Sequence, residues 1–339
     1  MTLFLVVGVA ALVAMDPPAK AESSGSRIYE NRLSKVASPR PILADHPRFV
    51  AAVSDVERFE APTLVDDPQA SLDLRVWRFS YNARGIIEIA NHLDGEKTAV
   101  VVVHPWGVDD GQGWVTPEPA GAAFQCTPIK NQIALEHAKT VIQPLLTRLR
   151  PHVAQVIYSL PGKEDPIRKK LYRSVRGAPT PADQAVGAAE LRTKLQAFPY
   201  QGDPLPSTIS VESARPTIGY FQAFRGLDAG ARYDPKGFWD LPIPVTSAIA
   251  VHPRDIVIYD GEGYDLLRDF LEKQGVRHVI LTGYNTDMCV CSTTAGYKNL
   301  REDFDVFLVG DATLATFPAN ETPAHATNAA VSFAALDLF

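Results

Sequence analysis

The chain has 339 residues with 46% hydrophobic and 21% charged side chains, enough for one large domain or two small ones. Its 33 Lys and Arg against 39 Asp and Glu give a formal charge of -6, which leaves no basic surplus for a nucleic-acid-binding stripe. Three cysteines, Cys126, Cys289 and Cys291, exclude a disulfide scaffold and any four-cysteine zinc site.

Residues 3–15 (LFLVVGVAALVAM) form an uncharged apolar run, and Ala19-Lys20-Ala21 follows it as an A-x-A cleavage pattern. The run is shorter than the roughly 20 residues a bilayer span needs. Residues 1–21 therefore read as a signal peptide, although no Lys or Arg precedes the run. The mature chain would start at Glu22, be periplasmic or secreted, and keep no stable membrane insertion. Residues 22–96 read as an N-terminal arm. The stretch to about 70 is rich in Ser, Pro, Asp and Ala without a period. Residues 72–79 (LDLRVWRF) then alternate as a half-exposed strand, and residues 84–93 can pair with them as a small β appendage.

From residue 97 onward, buried strands alternate with helices. Residues 99–103 (AVVVV) read as a strand covered on both faces, and apolar residues at Ile133, Val141, Leu145 and Leu149 mark a helix over 128–149. A strand over 153–160 and a helix over 181–198 follow, the latter with proline at its start. About 50 residues rich in Pro, Gly and aromatics come next, longer than an ordinary connection and typical of a functional rim. The last third reads strand 255–259, helix 264–273, strand 278–283, helix 289–300, strand 305–310 and helix 322–338. The expectation for 97–339 is an α/β fold: a doubly wound, mostly parallel sheet of about six strands with helices on both faces.

Ligands of such sheets bind beyond the carboxyl ends of the strands, at the switch point of the strand order. Three strand ends qualify: His104-Pro105-Trp106-Gly107-Val108-Asp109-Asp110, Asp260-Gly261-Glu262-Gly263, and Tyr284-Asn285-Thr286-Asp287-Met288-Cys289. A cysteine opening a helix receives the positive end of its dipole, which favours the thiolate nucleophile.

The segment Gly283-Tyr284-Asn285-Thr286-Asp287-Met288-Cys289-Val290-Cys291-Ser292-Thr293 resembles the G-x-x-T-x-x-C-V-x-x-T signature of isochorismatase-like cysteine hydrolases, a superfamily that includes nicotinamidases and N-carbamoylsarcosine amidohydrolases. The resemblance spans about 97–336 and is specific over about 255–316. It implies that Cys289 is the nucleophile and Cys291 a bystander on another helix face. It also implies an attack on an amide-type carbonyl, a thioester that water hydrolyses, and an oxyanion hole of backbone N–H groups from Asn285 and Cys289 beside a cis Tyr284–Asn285 peptide. The family places an Asp at the end of the first strand and a Lys after a middle strand. This sequence has His104 and Asp260 there.

Two readings follow from that exchange. In one the catalytic set is rewired, with Cys289 as nucleophile, His104 as base and Asp260 orienting the imidazole. In the other the protein is a catalytically silent relative that binds a ligand or partner. A structural or surface-assembly role is a third reading. Asp109 and Asp110 are pocket candidates, though a solvated loop charge is the simpler account; Trp106 and Tyr284 are further candidates, with packing the simpler role for Trp106 and Trp114. Asp287 reads as a first-turn residue, and Cys126 as core or as a disulfide partner of Cys289 or Cys291. Some relatives bind a divalent metal through an Asp-x-His run after the second strand; here Pro161-Gly162-Lys163-Glu164-Asp165 stands there, so no metal and no other cofactor is expected. The expected partner is a small-molecule substrate and not nucleic acid. By analogy with the family, a homo-oligomer would close the pocket with loops from residues 199–250.

Overall fold

The computed structural model describes residues 32–37, 57–80, 82, 85–116, 128–198, 213–215 and 241–315. The signal segment, Cys126, most of the 199–250 stretch and the expected helix over 322–338 lie outside the described residues.

Five strands make the main sheet: β5 (Thr98–Val103), β6 (Gln155–Leu160), β7 (Ile256–Tyr259), β8 (His278–Tyr284) and β9 (Asp305–Leu314). All neighbouring pairs are parallel, in the order β7-β6-β5-β8-β9. The chain runs outward from β5 to β6 and β7, then returns to the other side of β5 for β8 and β9. The switch point therefore falls between β5 and β8.

Every residue of β5 is buried, because the strand lies at the centre of the sheet with a hydrophobic layer on each face. Alternation divides them: Val100 and Val102 join one core cluster, and Ala99, Val101 and Val103 join the other. The first cluster is capped by α1, which runs as Pro128–His137, a π-helical stretch Ala138–Ile142, and Gln143–Leu149. Pro144 has no N–H for the carbonyl four residues back, and the widened turn just before it accommodates the missing bond. The second cluster receives Leu267 and Leu271 of α4 (Tyr264–Lys273) and Leu300. Two further helices, α2 (Pro166–Leu171) and α3 (Pro181–Gln196), lie between β6 and β7 in the chain. Leu191 and Leu195 of α3 pack with Val108, Trp114, Leu241 and Ile243 in a third cluster. The fold is thus the expected doubly wound parallel sheet, with five strands among the described residues.

Three expectations change. The helix expected over 289–300 is two short helices, α5 (Cys289–Ser292) and α6 (Tyr297–Leu300). The backbone is extended at Thr293, whose N–H and hydroxyl both donate to the Cys289 carbonyl, at 3.1 and 2.8 Å, and close the first helix. The last strand continues four residues past 310, with a register shift against Leu281 and Gly283. Part of the arm is a sheet of its own: β1 (Ser34–Lys35), β2 (Glu57–Ala61), β3 (Leu72–Ser80) and β4 (Gly85–Leu93), in the order β1-β2-β4-β3. β3 and β4 are the expected hairpin, whereas β2 pairs in parallel with β4 across 28 positions of register (Glu57↔Gly85), a contact that local pattern does not announce.

The appendage is tied to the main sheet through Asp67. Its carboxylate accepts from the Asp94 N–H at 2.8 Å and lies 2.8 Å from Nε2 of the fully buried His278 at the start of β8. The Nδ1 of His278 is 3.1 Å from a carboxylate oxygen of Asp305, an ion-pair distance without hydrogen-bond alignment.

Candidate active site

The site lies beyond the carboxyl ends of β5, β7 and β8. His104 follows β5 at φ +47, in the left-handed region that non-glycine residues enter at a cost. Two backbone bonds hold it there, His104 N–H to the Ser159 carbonyl at 3.0 Å and Trp106 N–H to the His104 carbonyl at 2.9 Å. Only 4% of the His104 surface is exposed. Its Nε2 is 2.7 Å from Oδ2 of Asp260, which follows β7.

Asp260 reaches across β6 to make that bond. Its other oxygen, Oδ1, accepts from the Ser159 hydroxyl at 3.1 Å, and its carbonyl accepts from the Thr294 hydroxyl at 2.8 Å. Ser159 is fully buried in β6 and paired with Val103 of β5 and Ile258 of β7. One residue thus holds the backbone of His104 and the carboxylate of Asp260 together. The Thr294 bond exists because the helix breaks after Ser292.

Cys289 opens α5 and is half-buried; Cys291 is buried, and both are free thiols. Burial pushes the His104 imidazolium towards the neutral form. The hydrogen bond to Asp260, followed by the hydrogen bond and negative charge of Cys289, outweighs it and raises the imidazole from 6.5 to about 9. The structure therefore brings together all three residues of the rewired set, with Asp260 on one ring nitrogen and the thiol acting on the same ring. A four-residue helix has little macrodipole, so the expected dipole effect on Cys289 is replaced by the neighbouring imidazolium.

Gly283 explains how β8 comes so close. At φ +111, a Cβ on this residue would stand 2.1 Å from the Val103 carbonyl oxygen, immediately before His104. Only glycine permits that approach. The Tyr284–Asn285 peptide is cis, as the resemblance implied. Among described groups, the Asn285 carbonyl accepts from the N–H groups of Met288 and Val290. The N–H of Cys289 has no backbone acceptor among the described residues, so it is a donor available to a ligand.

A cavity of about 100 Å³ opens on this set. His104, Cys289, Asn285 and Tyr284 line it, with Trp106 and Val108 from the β5 loop. Lys130, Asn131, Ala134 and Leu135 of α1 form the facing wall, and Thr246, Met288 and Leu314 complete it. Trp106 lies 5.2 Å from the His104 ring centroid. Trp114 packs in the third cluster instead. The Tyr284 hydroxyl is 2.9 Å from Nδ1 of buried His137 and 3.2 Å from the Ala134 carbonyl, and burial holds it well above the usual phenol range.

Asp109 and Asp110 do not line the cavity. The Asp109 carboxylate accepts from Thr116 N–H at 2.5 Å and from the Asn131 amide at 2.6 Å. Asp110 accepts from the Gln112 side chain at 2.8 Å and from Ser247 N–H at 2.8 Å. Both carboxylates are spent on fastening the loop after β5. Asp287 is exposed and also outside the lining. The sequence reading missed Ser159, Lys130, Asn131, Thr246 and Met288. A polar residue at the end of a buried strand was the available signal for Ser159; for the others no periodic or motif signal exists.

Residues 257–336 match the family model described as the isochorismatase domain. The search of solved structures finds a cysteine hydrolase from Pseudomonas syringae pv. phaseolicola, 16% identical, covering 72% of this chain and 86% of that one at a TM-score of 0.34. It also finds the pyrazinamidase of Pyrococcus horikoshii in complex with zinc (13% identity, 71% and 95% coverage, TM-score 0.35). An isochorismatase family protein from Burkholderia thailandensis is similar at 16% identity, with 64% and 79% coverage and a TM-score of 0.28. No curated protein sequence matches the chain.

The divalent metal that the resemblance associates with some family members does not fit the residues present here. After β6, Asp165 caps α2 through the N–H groups of Ile167 and Arg168 and pairs with the buried Arg168 guanidinium. That guanidinium also donates to the carbonyls of Pro161 and Lys163, so a cation already occupies this corner. Among the described residues no three His, Cys, Asp or Glu side chains gather to hold a metal.

Proposed function

We propose that this isochorismatase-like hydrolase cleaves a small amide, carbamoyl or related carbonyl substrate through a Cys289 thioester. The observation that carries the reading is the His104 imidazole, buried between the Asp260 carboxylate at 2.7 Å and the Cys289 thiol. The imidazolium partners a thiolate. Sγ adds to the substrate carbonyl carbon, and the developing oxyanion takes up the Cys289 N–H. The carbon–nitrogen bond then breaks as the imidazolium gives its proton to the leaving nitrogen. Neutral His104 next removes a proton from water, whose oxygen attacks the thioester carbon. The acid leaves, and the thiolate and imidazolium are restored.

Asp260 orients the ring through its hydrogen bond at Nε2. The exchange of the family's Asp and Lys for His and Asp retains one cationic and one anionic partner for the thiol, with the cation now adjacent to sulfur. The test is a panel of small amides and carbamoyl compounds offered to the wild type and to Cys289→Ala, with mass spectrometry of acid-quenched protein. The expected result is turnover and an acyl adduct on Cys289 in the wild type and neither in the variant. Turnover that survives Cys289→Ala, or no turnover of any member of the panel, goes against the reading and favours a ligand-binding protein.

A further inference from the structure

The facing wall of the cavity carries an uncharged polar side chain, Asn131, on the face of α1 that also presents Ala134 and Leu135, three and four residues on. The hydrogen bonds of its amide fix which end is which. Its Nδ2 lies 2.6 Å from Oδ2 of Asp109 and 3.0 Å from the Thr116 hydroxyl oxygen. A carboxylate only accepts, so the group turned towards Asp109 is the NH2, and these two bonds use both of its hydrogens. The Asn131 Oδ1 has no donor among the described residues. With the nitrogen held by the loop after β5, the carbonyl oxygen is the polar atom that Asn131 has left for a ligand.

The loop holds that amide from a strained position. Asp109 stands at φ +53, in the left-handed region, with its N–H on the Trp114 carbonyl at 3.3 Å. Its Oδ1 accepts from the Thr116 N–H at 2.5 Å, so the carboxylate cannot rotate away from Asn131 without losing both contacts. Val108 from the same loop, Ala134, Leu135 and Leu314 give the cavity apolar lining. A carbonyl oxygen in such a lining favours a ligand that brings an N–H and penalises one that brings another oxygen. At the reacting end the Cys289 N–H is a donor, so the two ends of the cavity call for opposite groups.

We propose that Asn131 selects substrates that carry an N–H donor a few bonds beyond the scissile carbonyl, such as that of a second amide group, and that Asp109 is the positioning residue that keeps the Asn131 oxygen turned towards it. This rests on the hydrolase reading above and names its substrate class. An ester oxygen in place of that N–H loses a hydrogen bond and sets two acceptors against each other, which weakens binding by about tenfold to a hundredfold.

The probes are N-methylsuccinamide and methyl succinamate, neutral molecules that share a primary amide and a short chain and differ in one N–H against one ester oxygen. Binding is measured by calorimetry on full-length Cys289→Ala, and ammonia release on the wild type. N-methylsuccinamide is expected to bind at least about tenfold more tightly. Asn131→Leu in the same background removes the preference. Asp109→Asn reverses it, because the new side chain can donate to Oδ1 of Asn131, whose amide then turns its NH2 to the cavity. A merely structural loss would weaken both probes alike and leave their ratio unchanged. Equal binding, tighter binding of the ester, or no binding of either overturns the proposal; so does an Asn131→Leu variant that keeps the preference. An Asp109→Asn variant with the wild-type ratio overturns the role of Asp109. If the wild type releases ammonia from neither probe while Cys289→Ala discriminates between them, the thioester reading fails and the acceptor role of Asn131 stands.

Discussion

Replacing Asp260 by asparagine keeps the shape of the side chain and removes the charge 2.7 Å from Nε2 of His104. Raising the imidazole from 6.5 to about 9 favours its charged form by about 3 kcal/mol, at 1.36 kcal/mol for each tenfold. That gain is net of the burial cost and is shared between Asp260 and Cys289. A hydrogen bond to a charged partner contributes about 1.5–3 kcal/mol, so the carboxylate accounts for a large part of it. In the proposed mechanism protonated His104 is the acid that releases the leaving nitrogen, so activity is expected to hold below about pH 9 and fall above it. In Asp260→Asn the alkaline fall should move about one to two pH units towards neutral. kcat/KM at pH 8 should drop about tenfold to a hundredfold. The substrate-free measurement is an NMR titration of the His104 Cε1–H in both proteins. An imidazole that titrates at the same pH in the two, or a pH–rate profile unmoved by the substitution, refutes the role given to Asp260.

The other predictions concern the supports of this pair. Ser159→Ala removes the hydroxyl 3.1 Å from Oδ1 of Asp260; since Ser159 does not line the cavity, kcat should fall by roughly tenfold with KM little changed. An equal rise in KM would mean that the pocket itself had moved. Gly283→Ala places a Cβ 2.1 Å from the Val103 carbonyl oxygen at φ +111, and the combined overlap and backbone strain should destabilise the protein by more than about 3 kcal/mol in urea. For His278, burial lowers the imidazole, and Asp305 and Asp67 together raise it above 6.5; for Asp67, burial raises the carboxyl, and Asp94, His278 and Arg277 take it below 3.8. The His278 contribution is complete below about pH 6.5 and is lost as pH rises through its elevated folded value. That of Asp67 is present above about pH 3.8 and is lost as pH falls through its depressed one. Urea unfolding should therefore show less stability at pH 8.5 than at pH 5.5, and His278→Gln should be weaker at pH 5.5 and lose most of that difference.

The strands were legible because they are buried on both faces. Residues 99–103 alternate between two core clusters, and a strand of that kind has to be apolar throughout. Their carboxyl ends then led to His104, Asp260 and Cys289 without any distance being known. What escaped reading depends on contacts distant in the chain. β2 forms by pairing with β4, and its own residues carry mixed charge and no strong period. The break after Ser292 comes where Thr293 turns extended, with its N–H and hydroxyl both on the Cys289 carbonyl, and Gly296 then passes so close that a Cβ would meet Thr293 N at 2.6 Å. Propensity alone runs a helix through both. Asp109 and Asp110 were reasonable candidates as carboxylates beside the site, but the donors that claim them, Asn131 and Ser247, come from other parts of the chain.

Strand order also explains why a histidine at this position can work with an aspartate two strands away. β5 and β7 do not touch; β6 lies between them. A direct contact between residues that follow β5 and β7 must cross the end of β6, and the residue there has to be small and able to donate. Ser159 meets both conditions, with its carbonyl fixing His104 N–H and its hydroxyl fixing Asp260. A larger residue at 159 would fill the space through which His104 and Asp260 meet, whereas alanine would leave Oδ1 without its donor. On the other side, Gly283 lets β8 pass against Val103 so that the loop carrying Cys289 reaches the same imidazole. The proposed set is therefore a property of four neighbouring strand ends, those of β7, β6, β5 and β8, in which the two residues without charge, Ser159 and Gly283, set the distances at which the charged ones act.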